Sequence, residues 1–310
     1  MSNSSFTLLE NSGMLCVTGR DATNFLQGYV TNDVQQLSPE IWHSGAFCNL
    51  KGRMVANFRM INQTGQLLIK MDKPLVDVTR QFLQKYIAFA KAETLNVSDA
   101  YCQVGIAGDA GASVIQEIFG RAPEGDQICS VYDEHIIVLL PGEYPRYELW
   151  LKSDTAATVL DALAEHLPRA AYQAWLLKEI QAGWAWITTE TSEQYIPQMM
   201  NLQAQDAISF DKGCYLGQEI VARMQYLGQL KRRMHRYRVT MDKPPKVGDK
   251  ILTQEEKVTG EIVSCAAENI DSQVSAYEIL AVVRETETDA LHLESHAQAE
   301  LLPLPYTYTA

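Results

Sequence analysis

Cysteines are few in this chain, and no two of them stand close together in sequence. The six occupy positions 16, 48, 102, 129, 214 and 265. This scatter excludes a CxxC redox pair and the ligand spacing of a zinc knuckle, and it is typical of reduced thiols in a cytosol. The cysteine pattern therefore predicts a cytoplasmic protein.

Long apolar runs and an excess of basic residues are also missing. The longest apolar runs, such as 135–141, are much too short to cross a bilayer, and the N-terminal MSNSSFTLLE lacks the basic-then-apolar order of a signal peptide. We therefore expect no membrane association. The net charge of −12 argues against a protein that coats nucleic acid indiscriminately.

The sequence has no recognisable metal or nucleotide motif. GIAGDAG at 105–111 fits neither G-x-G-x-x-G nor the P-loop. His292 and His296 stand four apart in ALHLES, which is predicted as a strand, and the sequence places no carboxylate set beside them. We therefore expect no metal site.

The length and the pattern of elements indicate several domains. A chain of 310 residues with 46% hydrophobic residues can bury two or three cores. Up to about residue 230 short strands mix with helices in an order that favours ferredoxin-like α+β layers. From 231 onward short strands follow one another without a helix, which predicts a small β-barrel.

One cysteine stands among charged and small residues, in DKGCYLGQEIVAR at 211–223. Lys212 offers a cation two residues before Cys214, and a helix predicted to begin near Tyr215 would point its N-terminal NH groups at the sulfur. Both effects favour a thiolate. Cys214 with Lys212 is therefore the candidate reactive thiol, and the alternative is a small buried residue at a domain junction.

Side chains around this stretch suit a heterocyclic ligand. Gln198 and Asn201 present amides in QYIPQMMNLQ (194–203), an irregular segment in which Pro197 breaks any helix. Trp175, on a predicted helix, either stacks on a ring or belongs to the core.

The stretch that contains Cys214 adds further polar groups. Tyr215 and Gln218 lie where a core segment would be apolar. Glu219 and Arg223 are four residues apart on the predicted helix, so they either bind a ligand or only stabilise the helix.

A basic stretch, KRRMHRYR at 231–238, departs from the acidic average. As a strand it would alternate its side chains between two faces. It is either a solvated edge strand or a docking patch for an acidic partner or for a polyanion such as tRNA. The candidate contacts are Lys231, Arg232, Arg233, Arg236 and Arg238.

Four stretches together resemble the YgfZ family: GRDATNFLQGYVTNDV (19–34), FCNLKGRM (47–54), IPQMMNLQ (196–203) and KGCYLGQEIVAR (212–223). Members of this family are folate-binding proteins linked to tRNA modification and to the maturation of iron–sulfur enzymes. The family is related in fold to the T-protein of the glycine cleavage system, a tetrahydrofolate-dependent aminomethyltransferase. The likeness covers about residues 7 to 305.

The resemblance implies an α+β fold of two intertwined ferredoxin-like domains plus a C-terminal antiparallel β-barrel. Its expected segments are 1–100, the N-terminal α+β part of a folate-binding region; 101–166, a second ferredoxin-like unit; 167–229, which closes the folate cavity; and 230–310, the barrel. The implied cofactor is tetrahydrofolate or a derivative. The folate-binding candidates are Trp175, Gln198, Asn201, Tyr215, Gln218, Glu219 and Arg223.

The sequence departs from the T-protein at one catalytic feature. The stretch RMVANFRM at 53–60 has no carboxylate, where the T-protein carries an Asp-Asp pair. A second tryptophan that lines the folate site of some relatives is also missing near Ser12–Gly13. We therefore expect an accessory protein that supports iron–sulfur enzymes and tRNA methylthiolation, rather than an enzyme. The alternative is a folate-dependent one-carbon transferase of the aminomethyltransferase type.

Overall fold

The structure is a computed structural model that describes residues 4–38, 40–123, 128–131, 135–226, 228–268 and 275–307. The chain divides into two units, each built from segments that are distant in sequence. The first unit consists of residues 1–29, 33–44 and 58–175, and the second of residues 30–32, 45–57 and 176–310. The four segments expected from the sequence stay a prediction.

In the part of the chain that the structure describes, strands mix with helices up to residue 226, and strands without an α-helix follow from 232, as the sequence pattern predicts. Within the described residues the strands are β1 (Ser5–Leu8), β2 (Ser12–Thr18), β3 (His43–Cys48), β4 (Met54–Gln63), β5 (Gln66–Asp72), β6 (Glu93–Asn96), β7 (Tyr101–Ala107), β8 (Ile128–Val131), β9 (His135–Leu140), β10 (Arg146–Lys152), β11 (Arg232–Thr240), β12 (Lys250–Leu252), β13 (Val258–Ala267), β14 (Ala276–Arg284), β15 (Leu291–Leu293) and β16 (Gln298–Leu302). The α-helices there are α1 (Ala22–Gln27), α2 (Leu75–Gln84), α3 (Gly111–Phe119), α4 (Ala156–His166), α5 (Tyr172–Gln181) and α6 (Gln218–Tyr226). None of these helices is long and apolar enough to span a membrane.

Two five-stranded sheets organise the first half of the chain. Their strand orders are β1-β7-β10-β9-β8 and β3-β4-β5-β2-β6. Strand β10 lies between β7 and β9 and pairs antiparallel with both. In the other sheet, β4 pairs antiparallel with β5, and this pairing sets Arg59 opposite Lys70.

In the first unit both faces of β7 and β10 are buried, including the polar side chains of Gln103, Arg146 and Glu148. Val104 and Leu149 belong to a cluster that includes side chains of α3 and α4. Trp150 belongs to a second cluster, together with Met14 and Leu68 from the other sheet. Successive strand residues point to opposite faces, so neighbouring positions serve different cores.

The second unit contains the barrel that the sequence predicts. Six strands close it in the order β11-β14-β13-β12-β15-β16. Its interior is filled by apolar side chains such as Tyr237, Ile262 and Ile279. Alternation along β11 places Tyr237 and Val239 inside, while Arg236 and Arg238 remain partly exposed.

Candidate functional site

Lys212 anchors the segment that carries Cys214. Its side chain is buried, at 7% exposure, and its ammonium donates hydrogen bonds of 2.7 Å to the carbonyl oxygens of Val30 and Asn32. The same nitrogen lies 5.1 Å from the ring centroid of Tyr215. Lys212, the cation that the sequence pairs with Cys214, thus binds residues 30–32. Its effect on the thiol of Cys214 stays a prediction.

Residues 30–32 also bind residues 206–207 and Ala46 through further hydrogen bonds, most of them buried. The Thr31 hydroxyl donates to the Ala207 carbonyl at 2.7 Å and accepts from the Ala46 N–H at 2.9 Å. The Asn32 amide donates to the Asp206 carbonyl at 2.7 Å. A segment tied at several buried points is rigid, so it presents its exposed side chains in a defined place.

The turn of FCNLKGRM packs against KGCYLGQE at two glycines. Gly217 has φ +82°, and a Cβ there would lie 2.4 Å from the Asn49 carbonyl oxygen. Gly52 has φ +68°, and its Cβ would lie 2.8 Å from Cβ of Ile220. Any larger residue would clash and adopt a disfavoured backbone conformation. Both glycines therefore serve the close approach of these two stretches.

Tyr215 points inward beside this contact. It is buried, and burial, with a smaller effect from Cys48, raises the pKa of its phenol. The phenol therefore stays protonated at neutral pH. Gln218, predicted as a ligand residue, accepts the Tyr215 N–H through its side-chain oxygen at 3.2 Å.

Cys214 is exposed, although the residues that anchor its segment are buried. Cys16 and Cys48 are buried, and Cys102 and Cys265 are half-buried. Burial raises the pKa of these four thiols, that of Cys265 to about 11. The side chain of Cys129 lies outside the described residues. Among the described cysteines, Cys214 alone is exposed.

Helix α6 begins at Gln218, so the predicted helix start near Tyr215 is wrong. Gly217 has a left-handed backbone, which interrupts helical geometry just before α6. Cys214 therefore precedes the first turn and does not adjoin it.

Glu219 and Arg223 are both exposed on α6. Within the part of the chain that the structure describes, they form no ion pair with each other. Their predicted contact with a ligand stays a prediction.

The predicted amides each use one atom to support the fold. Gln198 donates to the Val221 carbonyl at 2.7 Å, and Asn201 donates to the Met234 carbonyl at 2.9 Å. Both side chains are buried, and their acceptor atoms, Oε1 and Oδ1, have no hydrogen-bond partner among the described residues. These two buried oxygens therefore keep unused hydrogen-bonding capacity.

Trp175 belongs to the first unit, whereas the other predicted ligand residues belong to the second. It is 3% exposed, and a Cβ on Gly105 would lie 2.4 Å from its ring. The Arg146 guanidinium lies 5.8 Å from the ring centroid. Trp175 thus packs in the apolar cluster that contains Trp150.

Sequence reasoning missed a buried charged cluster in the first unit. The Glu148 carboxylate accepts from Arg59 at 2.5 Å, from Lys70, and from the Trp150 indole at 3.2 Å. Burial alone would raise the pKa of Glu148, but Lys70 and Arg59 outweigh it and lower that pKa to about 2. Opposite Trp150 in the strand register, the buried Gln103 amide has no partner among the described residues.

The missed signal was a single charged residue inside each of three short apolar stretches. Arg59, Lys70 and Glu148 interrupt NFRMI, LLIKM and YELWL. Buried charges are paired, so three such interruptions predict partners without identifying them.

The basic stretch on β11 is largely paired with glutamates. Arg233 contacts Glu285 at 3.2 Å, Arg236 contacts Glu278 at 2.6 Å, and Arg238 contacts Glu268 at 2.5 Å. These carboxylates reduce the local positive charge that a polyanion would meet. Lys231 is exposed, and Arg232 is half-buried.

Comparison with known proteins gives the family. No family model matches the chain. A protein of Colwellia psychrerythraea named tRNA-modifying protein YgfZ is 35% identical over 246 residues, which cover 79% of this chain and 75% of the relative. The protein of that name from Yersinia enterocolitica is 30% identical over 309 residues, covering 97% and 92%. This chain belongs to the YgfZ family.

A solved structure shows the fold of this YgfZ-family chain. Glycine cleavage system aminomethyltransferase T from Bartonella henselae matches it with a TM-score of 0.77 and 12% identity, covering 98% of this chain and 86% of that protein. The predicted T-protein-like fold is therefore confirmed. The packing of FCNLKGRM and residues 30–32 on KGCYLGQE brings together stretches that carried the family resemblance.

Proposed function

We propose that this chain is a folate-binding accessory protein that sustains iron–sulfur enzymes, including enzymes that methylthiolate tRNA, through the thiol of Cys214. The observation that carries the proposal is the exposure of Cys214 in a segment that neighbouring residues hold in place. Lys212, Tyr215 and Gly217 serve packing. Cys214 is exposed and does not serve packing, so packing does not explain why the motif contains a cysteine.

An accessible thiol on a rigid support can engage a partner in several ways. It can coordinate iron of a client's cluster, or it can attack a client disulfide, forming a mixed disulfide and releasing the other client sulfur as a thiolate. Both uses require the sulfur to be accessible. Reduced cysteines in such a protein are consistent with a cytoplasmic location, which is part of this proposal.

The deciding experiment is complementation in cells that lack their YgfZ-family protein. The parent chain, Cys214→Ser and Cys102→Ser are expressed at equal levels, and methylthio-nucleosides are measured by mass spectrometry of digested tRNA. We expect the parent and Cys102→Ser to restore modification, and Cys214→Ser to fail. Equal restoration by Cys214→Ser would contradict the thiol's role.

Binding of tetrahydrofolate, or a derivative, is supported by the buried acceptors of Gln198 and Asn201. A pterin presents N–H donors along one edge, and unpaired buried acceptors cost free energy that such donors would recover. Tyr215, Gln218, Glu219 and Arg223 remain proposed contacts in the same unit. Trp175, in the first unit, remains the proposed stacking residue.

The alternative function is folate-dependent one-carbon transfer. The T-protein fold favours it. The residues of 53–60 argue against it. Asn57 is the most polar of Val55, Ala56 and Asn57, and its amide already binds the Ala185 carbonyl and the Ile187 N–H.

Direct contact with tRNA through residues 231–238 can be tested separately. A surface that neutralises several phosphates loses affinity steeply as salt rises. Because three of its arginines are paired with glutamates, we expect only a shallow dependence of tRNA affinity on salt. A steep slope that Lys231→Ala and Arg232→Ala reduce would establish this surface as a tRNA contact.

A further inference from the structure

Three potential metal ligands meet at one end of the barrel. Glu256 lies in the turn between β12 and β13, His292 in β15, and His296 in the turn that follows β15. The Glu256 carboxylate lies 3.5 Å from Nε2 of His292 and 4.0 Å from Nδ1 of His296. All three ligand atoms lie within 4.8 Å of one another.

These separations suit a shared cation. Ligands that bind zinc at about 2.0–2.2 Å in a tetrahedral arrangement lie roughly 3.3–3.5 Å apart. Two imidazole nitrogens and one carboxylate oxygen form a donor set typical of zinc and other divalent first-row metals. The observed distances need only small side-chain adjustments to meet that geometry. His296 and Glu256 are free to make them, since their side chains are 77% and 60% exposed.

The oxygen atoms around the His292 ring favour a positive charge at its Nε2. Its Nδ1 lies 2.9 Å from the Leu293 carbonyl oxygen, and its Nε2 lies 3.1 Å from that of Thr253. A neutral imidazole has one N–H, so it can donate to only one of these oxygens. If Nδ1 donates to Leu293, the lone pair of Nε2 faces the Thr253 carbonyl and the Glu256 carboxylate. A cation bound there would satisfy all three groups.

The hydrogen bond at Nδ1 also has a recognised role in metal sites. A ligating histidine almost always donates its other ring N–H to a carbonyl or carboxylate, which fixes the tautomer and the ring orientation. His292 is nearly fully buried, so its ring is already held in place. The buried histidine therefore provides a preorganised ligand, and the two exposed groups complete the set.

Backbone conformation at the two exposed ligands is unusual. Glu256 has φ +59° and His296 has φ +61°. Residues other than glycine rarely adopt this left-handed backbone conformation, and such outliers concentrate at functional sites. We propose that Glu256, His292 and His296 bind a divalent first-row transition-metal ion of the zinc type. This site is separate from the function proposed above.

The ion would brace the shortest pairings of the barrel. Strands β12 and β15 pair only through Ile251 with Leu293 and Leu252 with His292. A metal that joins Glu256 to both histidines would tie the turn after β12 to β15 and to the turn after it. Its binding should therefore stabilise the fold.

The test uses the full-length protein after chelation and dialysis. Co²⁺ binding is followed by visible absorption and Zn²⁺ binding by calorimetry, in the parent, His296→Ala and Glu256→Gln. The matched control is His166→Ala, because His166 and Glu117 form another imidazole–carboxylate pair, 3.7 Å apart. Both ions should bind in 1:1 ratio, at least about ten-fold more weakly in the two site variants and unchanged in the control. Zn²⁺ should raise the Tm of the parent and of His166→Ala only.

Two results would overturn the proposal. One is no saturable binding, or binding that His296→Ala and Glu256→Gln leave unchanged. The other is a near-ultraviolet thiolate-to-Co²⁺ band that Cys214→Ser abolishes together with binding, since the metal would then lie at the thiol.

Discussion

Cys214 and Lys212 are only two residues apart, yet they have opposite environments. The lysine is buried and donates to two carbonyls from far along the chain, whereas the cysteine is exposed. Hydrogen bonds that involve a charged group typically contribute about 1.5–3 kcal/mol. Lys212 thus anchors the segment, and the reactivity proposed for it belongs to Cys214.

We expect Cys214 to be alkylated first when the folded protein meets iodoacetamide at pH 7. A thiol with a pKa of about 11, such as Cys265, is ionised to roughly one part in ten thousand at that pH. Peptide mass mapping at successive times measures each site. Cys102→Ser should leave the fast phase intact, and Cys214→Ser should remove it. Uniform labelling of the described cysteines would refute the prediction.

Replacing Lys212 separates its two possible roles. Lys212→Met removes the charge and leaves two buried carbonyls without their donor, so the free energy of unfolding should fall by about 1–3 kcal/mol. Urea denaturation measures this, with the exposed Lys257→Met as a control that should change little. Slower alkylation of Cys214 in Lys212→Met, at a urea concentration where both proteins are folded, would show that the ammonium also supports the thiolate. An unchanged rate would leave Lys212 a purely structural residue.

Tetrahydrofolate should quench the fluorescence of Trp175 and bind more weakly once this indole is lost. Loss of a stacking surface costs about 1–3 kcal/mol of affinity. Because Trp175 is buried against Gly105, Trp175→Phe is the first variant to use, with Trp175→Ala as the stronger change. Trp42→Phe, in a residue packed against the same apolar cluster, is the control. Affinity that stays constant in both Trp175 variants would place the ligand elsewhere.

At the scale of elements, strands β4, β5 and β10 bring Arg59, Lys70 and Glu148 into the interior of the first unit. Their pairing brings Arg59 and Lys70 opposite each other, and Glu148 receives hydrogen bonds from both. Such a cluster requires all its members, because removing one leaves uncompensated buried charge.

Stability should therefore depend on the ionisation of Glu148. Its pKa is lowered to about 2 in the folded chain, below the ordinary value of a glutamate, so its ionised form stabilises the fold. This contribution is present above about pH 4.5 and is lost progressively as pH falls from there towards 2.

Glu148→Gln should cost about 3–5 kcal/mol at pH 7 and flatten the dependence of stability on pH between 4.5 and 2. Urea denaturation at several pH values measures both effects. The exposed Glu117→Gln serves as the control. A Glu148→Gln protein as stable as the parent at pH 7 would show that the cluster is dispensable.

At the scale of the whole molecule, the chain has a T-protein fold, but its strand β4 carries no carboxylate before Phe58. Proton transfer at a folate nitrogen needs a group of that kind within hydrogen-bond reach. Asn57 cannot substitute, because its amide is occupied by Ala185 and Ile187.

We therefore expect no aminomethyl transfer by the full chain. The assay follows methylene-tetrahydrofolate formation with the aminomethyl donor of the T-protein, and a T-protein serves as the positive control. Formation above the background of a boiled sample would revive the transferase alternative. Folate binding measured in the same preparation would show that turnover is absent even though the ligand binds.

The sequence by itself determined the order of the elements, the presence of a C-terminal barrel and the family. Periodicity is a local property, so alternation along β11 and the helix-free run after 231 could be read without a structure. The motif KGCYLGQE likewise singled out Cys214 among six cysteines.

Only the tertiary structure decided which polar groups meet. Lys212 binds carbonyls 182 and 180 residues away, Glu148 joins cations on two other strands, and Glu256 reaches His292, where the sequence indicated no carboxylate. A lysine or glutamate has the same local pattern whether it is solvated or paired. Its partner depends on strand register and loop closure over long distances, and those are settled only when the apolar faces pack.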